Sequence, residues 1–251
     1  FRNQYDNDAT TFSPQVSKTH AVVVALKRNA EDLGSYQKKV IRIDDHMGIA
    51  LAGLAPDARV LSNFMRQQAM SSKMIYNRPV PVARVVSAIA DKAQKNTQQY
   101  GRRPYGVGLL IIGYDEAGPH LFEFVSSGQV LEYRGTAIGA RSQSSRTYLE
   151  RTFETFPDAT SEELILHGLR ALRDSLAQDK ELTSLNTSIG IVGADTKFKL
   201  IEGEPLSEWL EKLGETSMTA VRARESAARN ADRPSEDQAA AETVGGDAME
   251  E

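Results

Sequence analysis

The sequence has no cysteine among its 251 residues. This absence excludes disulfide bonds, thiolate zinc sites and cysteine nucleophiles, and it is typical of proteins from reducing compartments. The four histidines stand far apart and never have the i, i+4 spacing of a helical zinc site (His20, His46, His120 and His167). We therefore expect no metal site and no cofactor.

Long apolar runs are also absent. The longest, AVVVAL (21–26) and GVGLLIIG (106–113), have the length of a strand, whereas a helix that crosses a bilayer needs ~20 apolar residues. The first twelve residues lack the apolar segment of a signal peptide. We expect a soluble intracellular protein without a membrane partner.

Charge is unevenly distributed along the chain. The net charge is −4, but residues 215–251 contain nine acidic and four basic residues, so the residues before them sum to about +1. A nearly neutral body lacks the basic patch of a nucleic-acid-binding protein. The acidic tail has almost no large apolar residue and cannot offset its ordering entropy. We predict an amino-terminal segment (1–15), a folded domain (16–213) and a disordered acidic tail (214–251).

The body alternates between two kinds of apolar pattern. Short β-branched runs between polar turns predict antiparallel strands. These runs are HAVVVAL (20–26), VIRI (40–43), MGIALAG (47–53), GVGLLIIGYD (106–115), HLFEF (120–124), VLEYR (130–134), TAIGA (136–140), TSIGIVG (187–193) and FKLI (198–201).

Apolar residues at three-to-four spacing predict the helices. Two follow each other after Pro56 and Pro81, one lies near 144–156, one begins at Ser161, and a short one covers PLSEWLEKL (205–213). Thr160 and Glu163 have the spacing of a capping box. The order is strands, two helices, strands, two helices, strands, which predicts an α+β fold: a four-layer α/β/β/α sandwich.

Five stretches of the sequence resemble those of a known protein family. They are FSP (12–14), KKVIRIDDH (38–46), AGLAPDARVL (52–61), QYGRRPYGVGLLIIGYD (99–115) and TAIGARSQSSRTYLER (136–151). In this order and spacing the chain resembles the α-type subunits of the 20S proteasome over residues 1–213. The resemblance implies the amino-terminal-nucleophile hydrolase sandwich, in agreement with the layer argument.

The resemblance also implies a function. The chain is expected to be a non-catalytic subunit of a seven-membered α ring, in contact with neighbouring α subunits, with β-ring subunits and with the carboxyl-terminal tails of regulatory particles. It would contribute to ring assembly, to gating of substrate entry and to ubiquitin-dependent protein degradation in the cytoplasm and nucleus.

Lys39, at the start of a buried strand, could be a catalytic amine or a docking point for a carboxylate. In the β-type relatives this lysine assists an amino-terminal threonine. Here Thr10 and Thr11 are followed by Phe-Ser-Pro, and Leu26-Lys27-Arg28 stands where the β-type subunits carry a carboxylate. The resemblance to α-type subunits therefore implies docking and no catalytic residues.

The resemblance assigns two groups of site residues. Lys39, Gly53 and Leu54 are expected to line the pocket that receives a regulator's terminal carboxylate. Tyr5, Asp6 and Pro14 match positions of the amino-terminal gate.

One departure from the family follows Gln15. The α-type subunits continue there through a helix into their first strand, whereas this chain passes directly to Val16-Ser17-Lys18. The amino-terminal helix and the first strand are therefore expected to be absent. Two alternatives stay open: a β-type threonine peptidase, and a free-standing sandwich that cannot join the ring.

Overall fold

The computed structural model describes residues 12–27, 37–176 and 181–214. The chain divides into a body that ends at Leu210 and a carboxyl-terminal unit from Glu211 onward. Of the latter unit, only 211–214, the end of the last helix, are described. Except for Gly214, the predicted acidic tail (214–251) therefore lies outside the described residues, and the three predicted region boundaries stay predictions.

A five-stranded antiparallel sheet carries the middle of the chain. Its strands are β3 (Val40–Asp44), β4 (Met47–Gly53), β5 (Val107–Asp115), β6 (Gly118–Phe124) and β7 (Val130–Glu132), and they pair in sequence order. Tight turns join β3 to β4 and β5 to β6. These strands were all predicted, with ends that differ by a few residues at most.

A four-stranded antiparallel sheet lies against the first one. It contains β1 (Phe12–Val16), β2 (His20–Leu26), β8 (Thr187–Gly193) and β9 (Thr196–Ile201), in the order β1-β2-β8-β9. All residues of β8 and nearly all of β2 are buried. This matches their continuous apolar runs, which are typical of strands covered on both faces.

The described residues contain five α-helices, and the first four contact the two sheets. They are α1 (Ala55–Tyr76), α2 (Val82–Gln98), α3 (Ser142–Thr152), α4 (Ser161–Arg173) and a last helix, α5, at 204–214. The helix predicted near 144–156 ends earlier, because a 3₁₀ helix (Phe153–Asp158) containing Pro157 follows α3 directly. Proline cannot donate the backbone hydrogen bond that would continue an α-helix.

The layers follow from two clusters of buried side chains. One cluster joins α1 and α2 to β4 and β5 of the five-stranded sheet. The second lies between the two sheets and contains Val23, Val40, Leu110 and Phe198. Helix α4 contacts β1 and β2 on the remaining side. The predicted α+β sandwich is confirmed.

One predicted strand is wrong. TAIGA (136–140) forms no strand, although Thr136, Ala137 and Ile138 are buried. Its backbone groups make separate hydrogen bonds to different parts of the chain. Thr136 N donates to Pro14 O, and Ala137 O accepts from Arg146 Nε. Gly139 has a φ of 103°, which turns the chain before α3.

A strand that the sequence analysis did not predict stands beside β2. Strand β1 pairs with β2 from Phe12↔Ala25 to Val16↔Ala21. On its other side, Val16 N donates to Arg134 O. Residues 12–16 therefore form the edge strand next to β2. Pro14 is tolerated there because it lies in an edge strand.

Candidate functional site

The three predicted pocket residues meet at one end of the β3–β4 pair. Leu51 N donates to Lys39 O at 3.0 Å, which places Lys39 opposite Leu51 in the register. Gly53 ends β4 two residues later, and Leu54 begins α1 as its N-cap. Sequence positions 39, 53 and 54 are therefore brought together by the turn between two adjacent strands.

The side chain of Lys39 does not lie at the rim of a pocket. Only 1% of the residue is exposed, and it is among the largest fully buried side chains. Lys38, one residue earlier, is exposed. The two lysines differ in exposure because successive residues of an extended chain point to opposite sides. A carboxylate can reach the Lys39 ammonium only if the residues that cover it rearrange.

Gly53 and Leu54 are half-exposed and form the accessible part of the three-residue group. Gly53 has a φ of 119°, a backbone conformation that residues with a Cβ rarely adopt. Leu54 N donates to Gly106 O at 2.9 Å. The bend between β4 and α1 is thus fixed by a glycine and by a hydrogen bond to the segment before β5.

Next to this bend, the buried Asp57 forms an ion pair with the exposed Arg103. Arg103 donates two hydrogen bonds to Asp57, from Nη1 at 2.6 Å and from Nη2 at 2.8 Å, and Gly106 N donates to the same carboxylate at 2.8 Å. The hydrogen bond from Arg103 is the main reason why the pKa of Asp57 lies below its ordinary value, against the opposing effect of burial.

Sequence reasoning found no role for this pair. Arg103 lies in the stretch QYGRRPYGVGLLIIGYD (99–115) and Asp57 lies in AGLAPDARVL (52–61). The two residues are 46 positions apart in the sequence. Spacing along a single sequence carries no signal for such a contact.

The gate residues are only partly placed. Tyr5 and Asp6 lie outside the described residues. Pro14 is buried in β1, opposite Val23, and its carbonyl accepts a hydrogen bond from Thr136 N at 3.3 Å. Its backbone is therefore part of a sheet edge.

A cavity of about 280 Å³ lies elsewhere in the fold. It is lined by residues 133–136, which follow β7, and by Arg146, Leu149, Glu150 and Phe153 of the α3 region. Lys39, Gly53 and Leu54 do not line it. The predicted docking group therefore consists of a partly buried bend, Gly53 and Leu54, and the fully buried Lys39.

The described part of the chain has neither a metal-binding cluster nor a membrane-spanning helix. No group of three or more histidine, aspartate and glutamate side chains there is arranged to hold a metal ion. No helix in the same residues is long and apolar enough to cross a bilayer.

Comparison with known proteins gives a consistent family. The family model described as "Proteasome subunit" matches residues 7–192. The chain is 59% identical to the probable proteasome subunit alpha type-6 of Schizosaccharomyces pombe, over 93% of this chain and 94% of that protein. It is 54% identical to proteasome subunit alpha type-6 of Saccharomyces cerevisiae (84% and 100%) and 43% identical to proteasome subunit alpha type-1 of Caenorhabditis elegans (93% and 98%).

The same alignments reveal a difference in length. The S. pombe alignment spans 256 positions, but 93% of 251 residues is about 233, so about 23 aligned positions have no residue in this chain. The C. elegans alignment has the same length and coverage. About 23 residues suffice for an average helix, an average strand and a short connection. The helix and strand expected to be absent after Gln15 would together have about this length.

Proposed function

The chain belongs to the proteasome subunit family, with α-type subunits as its relatives, and from this premise we propose how it acts in the 20S core particle. It is a non-catalytic component of the α ring and assembles with other proteasome subunits. The observation that carries this is the 43–59% identity to named α-type subunits over most of both chains. Within the particle, it would take one place in a seven-membered ring in the cytoplasm and nucleus.

An exposed apolar surface supports assembly. Met70, Met74, Ile75 and Tyr76, in the last turns of α1, are 55–81% exposed. Soluble monomers rarely leave such a group of large apolar side chains uncovered. We assign this surface to the contact with a neighbouring proteasome subunit. Met74→Lys should then lower incorporation into particles without unfolding the chain, because the Met74 side chain is 81% exposed.

The control for this experiment is Lys73→Met, an apolar substitution in the same helix turn. Incorporation is measured by native gel electrophoresis after co-expression with the other subunits. Normal incorporation of the Met74→Lys variant would exclude this surface from the contact.

Docking of a regulatory particle is the second part of the proposal. Lys39, Gly53 and Leu54 lie at one strand end, and a lysine ammonium is a suitable partner for a terminal carboxylate. Because Lys39 is 1% exposed, the docking peptide has to displace the residues that cover it, or the neighbouring subunit has to open the site. Gly53 and Leu54 would provide the first contact.

A neutral variant of similar shape tests the role of Lys39. Lys39→Met keeps the apolar stem and removes the ammonium, whereas Lys39→Glu would bury a charge of the opposite sign and destabilise the fold. Lys39→Met in assembled particles should weaken binding of a peptide with a free terminal carboxylate by about tenfold or more, the effect of losing one hydrogen bond to a charged group.

Lys38→Met serves as the matched control, because Lys38 is exposed on the opposite side. Equal weakening by both substitutions would indicate a general basic surface, and no weakening by Lys39→Met would reject docking at this position.

The amino-terminal segment would contribute to the gate through Tyr5 and Asp6. Pro14, the third residue assigned to the gate, lies in β1 opposite Val23. We propose that Pro14 acts as the fixed base of the segment.

One observation favours a second candidate. The gap of about 23 positions against three relatives removes enough sequence to weaken ring contacts. A sandwich that folds alone, with β1 closing its sheet edge, is the corresponding alternative. Size-exclusion chromatography of the purified chain together with partner subunits distinguishes the two.

A further inference from the structure

The bend between β4 and α1 has few stabilising contacts of its own. Helix α1 has Leu54 as its N-cap and no side-chain cap, so the amide groups of its first turn are not bound by a neighbouring capping residue. Gly53 contributes a left-handed backbone conformation but no side chain. The position of the bend must therefore be set by another part of the chain.

The segment before β5 supplies these contacts. Leu54 N donates a hydrogen bond to Gly106 O. In the opposite direction, Gly106 N donates a hydrogen bond to Asp57 Oδ2 in the first turn of α1. The Leu54 side chain covers Gly106 so closely that an added Cβ would lie 2.6 Å from Leu54 Cδ1. Two hydrogen bonds thus join the segments, one to a backbone carbonyl and one to the Asp57 carboxylate, and a residue larger than Gly106 would have to displace the Leu54 side chain.

Arg103 completes this connection. Its guanidinium binds both oxygens of Asp57, and its Nη1 also donates to Pro104 O at 3.0 Å. A bidentate arginine–carboxylate pair fixes direction as well as distance. The orientation of the Asp57 carboxylate, which accepts from Gly106, therefore depends on a residue outside both the strand and the helix.

We propose that Arg103 and Asp57 are positioning residues for the docking bend: they hold Gly53 and Leu54 in the conformation that receives a regulator's terminal carboxylate. Neither residue has to touch the peptide. The inference rests on the proposed docking function, but the geometric part can be measured without a regulator.

Amide hydrogen exchange in the isolated chain tests the geometric part. Arg103→Gln removes the bidentate pair and should speed exchange of the Leu54 and Gly106 amides by about tenfold or more, because a hydrogen bond to a charged group is lost. The Tyr114 amide, which donates to His46 O at the opposite end of the sheet, should keep its exchange rate. Arg102→Gln changes the neighbouring exposed arginine and should affect none of the three. Unchanged exchange at Leu54 in Arg103→Gln would overturn the inference.

Peptide binding to assembled particles tests the functional part. Particles with Arg103→Gln should bind a peptide with a free terminal carboxylate about tenfold more weakly, and Arg103→Lys should restore only part of this affinity, because lysine cannot bind both oxygens in one plane. Particles with Arg102→Gln should bind like the wild type. If wild-type particles bind the peptide and Arg103→Gln particles bind it equally well, the positioning role is wrong. If wild-type particles do not bind it, the docking function itself is wrong.

Discussion

Asp115 Oδ2, at the end of β5, accepts a hydrogen bond of 3.0 Å from the backbone nitrogen of Val82, the first residue of α2. Helix α2 has Pro81 at its N-cap and no side-chain cap from its own sequence. Asp115, 33 positions away in the sequence, therefore caps the helix. The same hydrogen bond connects α2 to the sheet on which it packs.

Replacing this cap should weaken the fold. Asp115→Ala is expected to lower the free energy of unfolding by about 1–2 kcal/mol, the upper part of the range for lost N-caps, since Asp115 also accepts from Ala117 N. Urea denaturation measures the change. Asp91→Ala, an exposed position of α2, should change the free energy by about 0.5 kcal/mol at most. Similar losses for both variants would show that the cap contributes nothing specific.

His120 connects the same carboxylate to β7. Its Nδ1 lies 2.6 Å from Glu132 Oε1 and its Nε2 lies 3.0 Å from Asp115 Oδ1. Burial lowers the pKa of His120, but the hydrogen bonds to Glu132 and Asp115 outweigh burial and raise the pKa above its ordinary value. The folded state therefore favours the protonated imidazole.

Stability should consequently fall as pH rises. The contribution of His120 is fully present below the pKa of the unfolded chain, about 6.5, and is lost as pH increases through the raised pKa of the folded state. His120→Gln should remove this part of the pH dependence in denaturation curves measured above pH about 6.5. His20→Gln is the control, because among the described residues the contacts of His20 include no carboxylate. If the free energy of unfolding of His120→Gln depended on pH in the same way as that of the wild type, the stabilising role of protonated His120 would be wrong.

Close contact between the sheets depends on Gly48. A Cβ at this position would lie 2.0 Å from the ring of Phe198, which is 6% exposed between the sheets. Gly48→Ala should therefore cost about 1–3 kcal/mol of stability, as overpacking does. Gly108→Ala, in the neighbouring strand β5, meets no atom closer than 3.7 Å and should be tolerated. Equal thermal stability of the two variants would contradict this packing.

The edge strand β1 can be tested by truncation. Removal of residues 1–11 leaves β1 intact, whereas removal of 1–16 exposes the edge of β2 and deletes the contacts with Arg134 and Thr136. The longer truncation alone should therefore cause a loss of solubility or of cooperative unfolding, because an open sheet edge can pair with other chains. Equal behaviour of the two fragments, measured by thermal denaturation and light scattering, would mean that β1 does not hold the sheet.

Local patterns predicted much of this fold. MGIALAG (47–53) forms β4 with the predicted bounds, and the Thr160–Glu163 capping box is present with both of its reciprocal hydrogen bonds. Both features depend on residues within a few positions of one another, where period and capping chemistry act directly.

Features that depend on distant residues were not predicted. Residues 12–16 were not predicted as a strand, and they form β1 by pairing with the edge of β2. The burial of Lys39 and the pairing of Asp57 with Arg103 also depend on which parts of the chain pack together. A single sequence gives the residue types of such contacts but not their partners.

Incorporation into the core particle is the most direct measurement of the central claim. The full chain, tagged at its carboxyl terminus and expressed at native level, is recovered under native conditions, and the complexes are weighed by native mass spectrometry. The account predicts particles that contain this chain together with other α and β subunits, in which the chain itself carries no peptidase site. Recovery of the chain only as a monomer, from cells whose other subunits form complete particles, would contradict it.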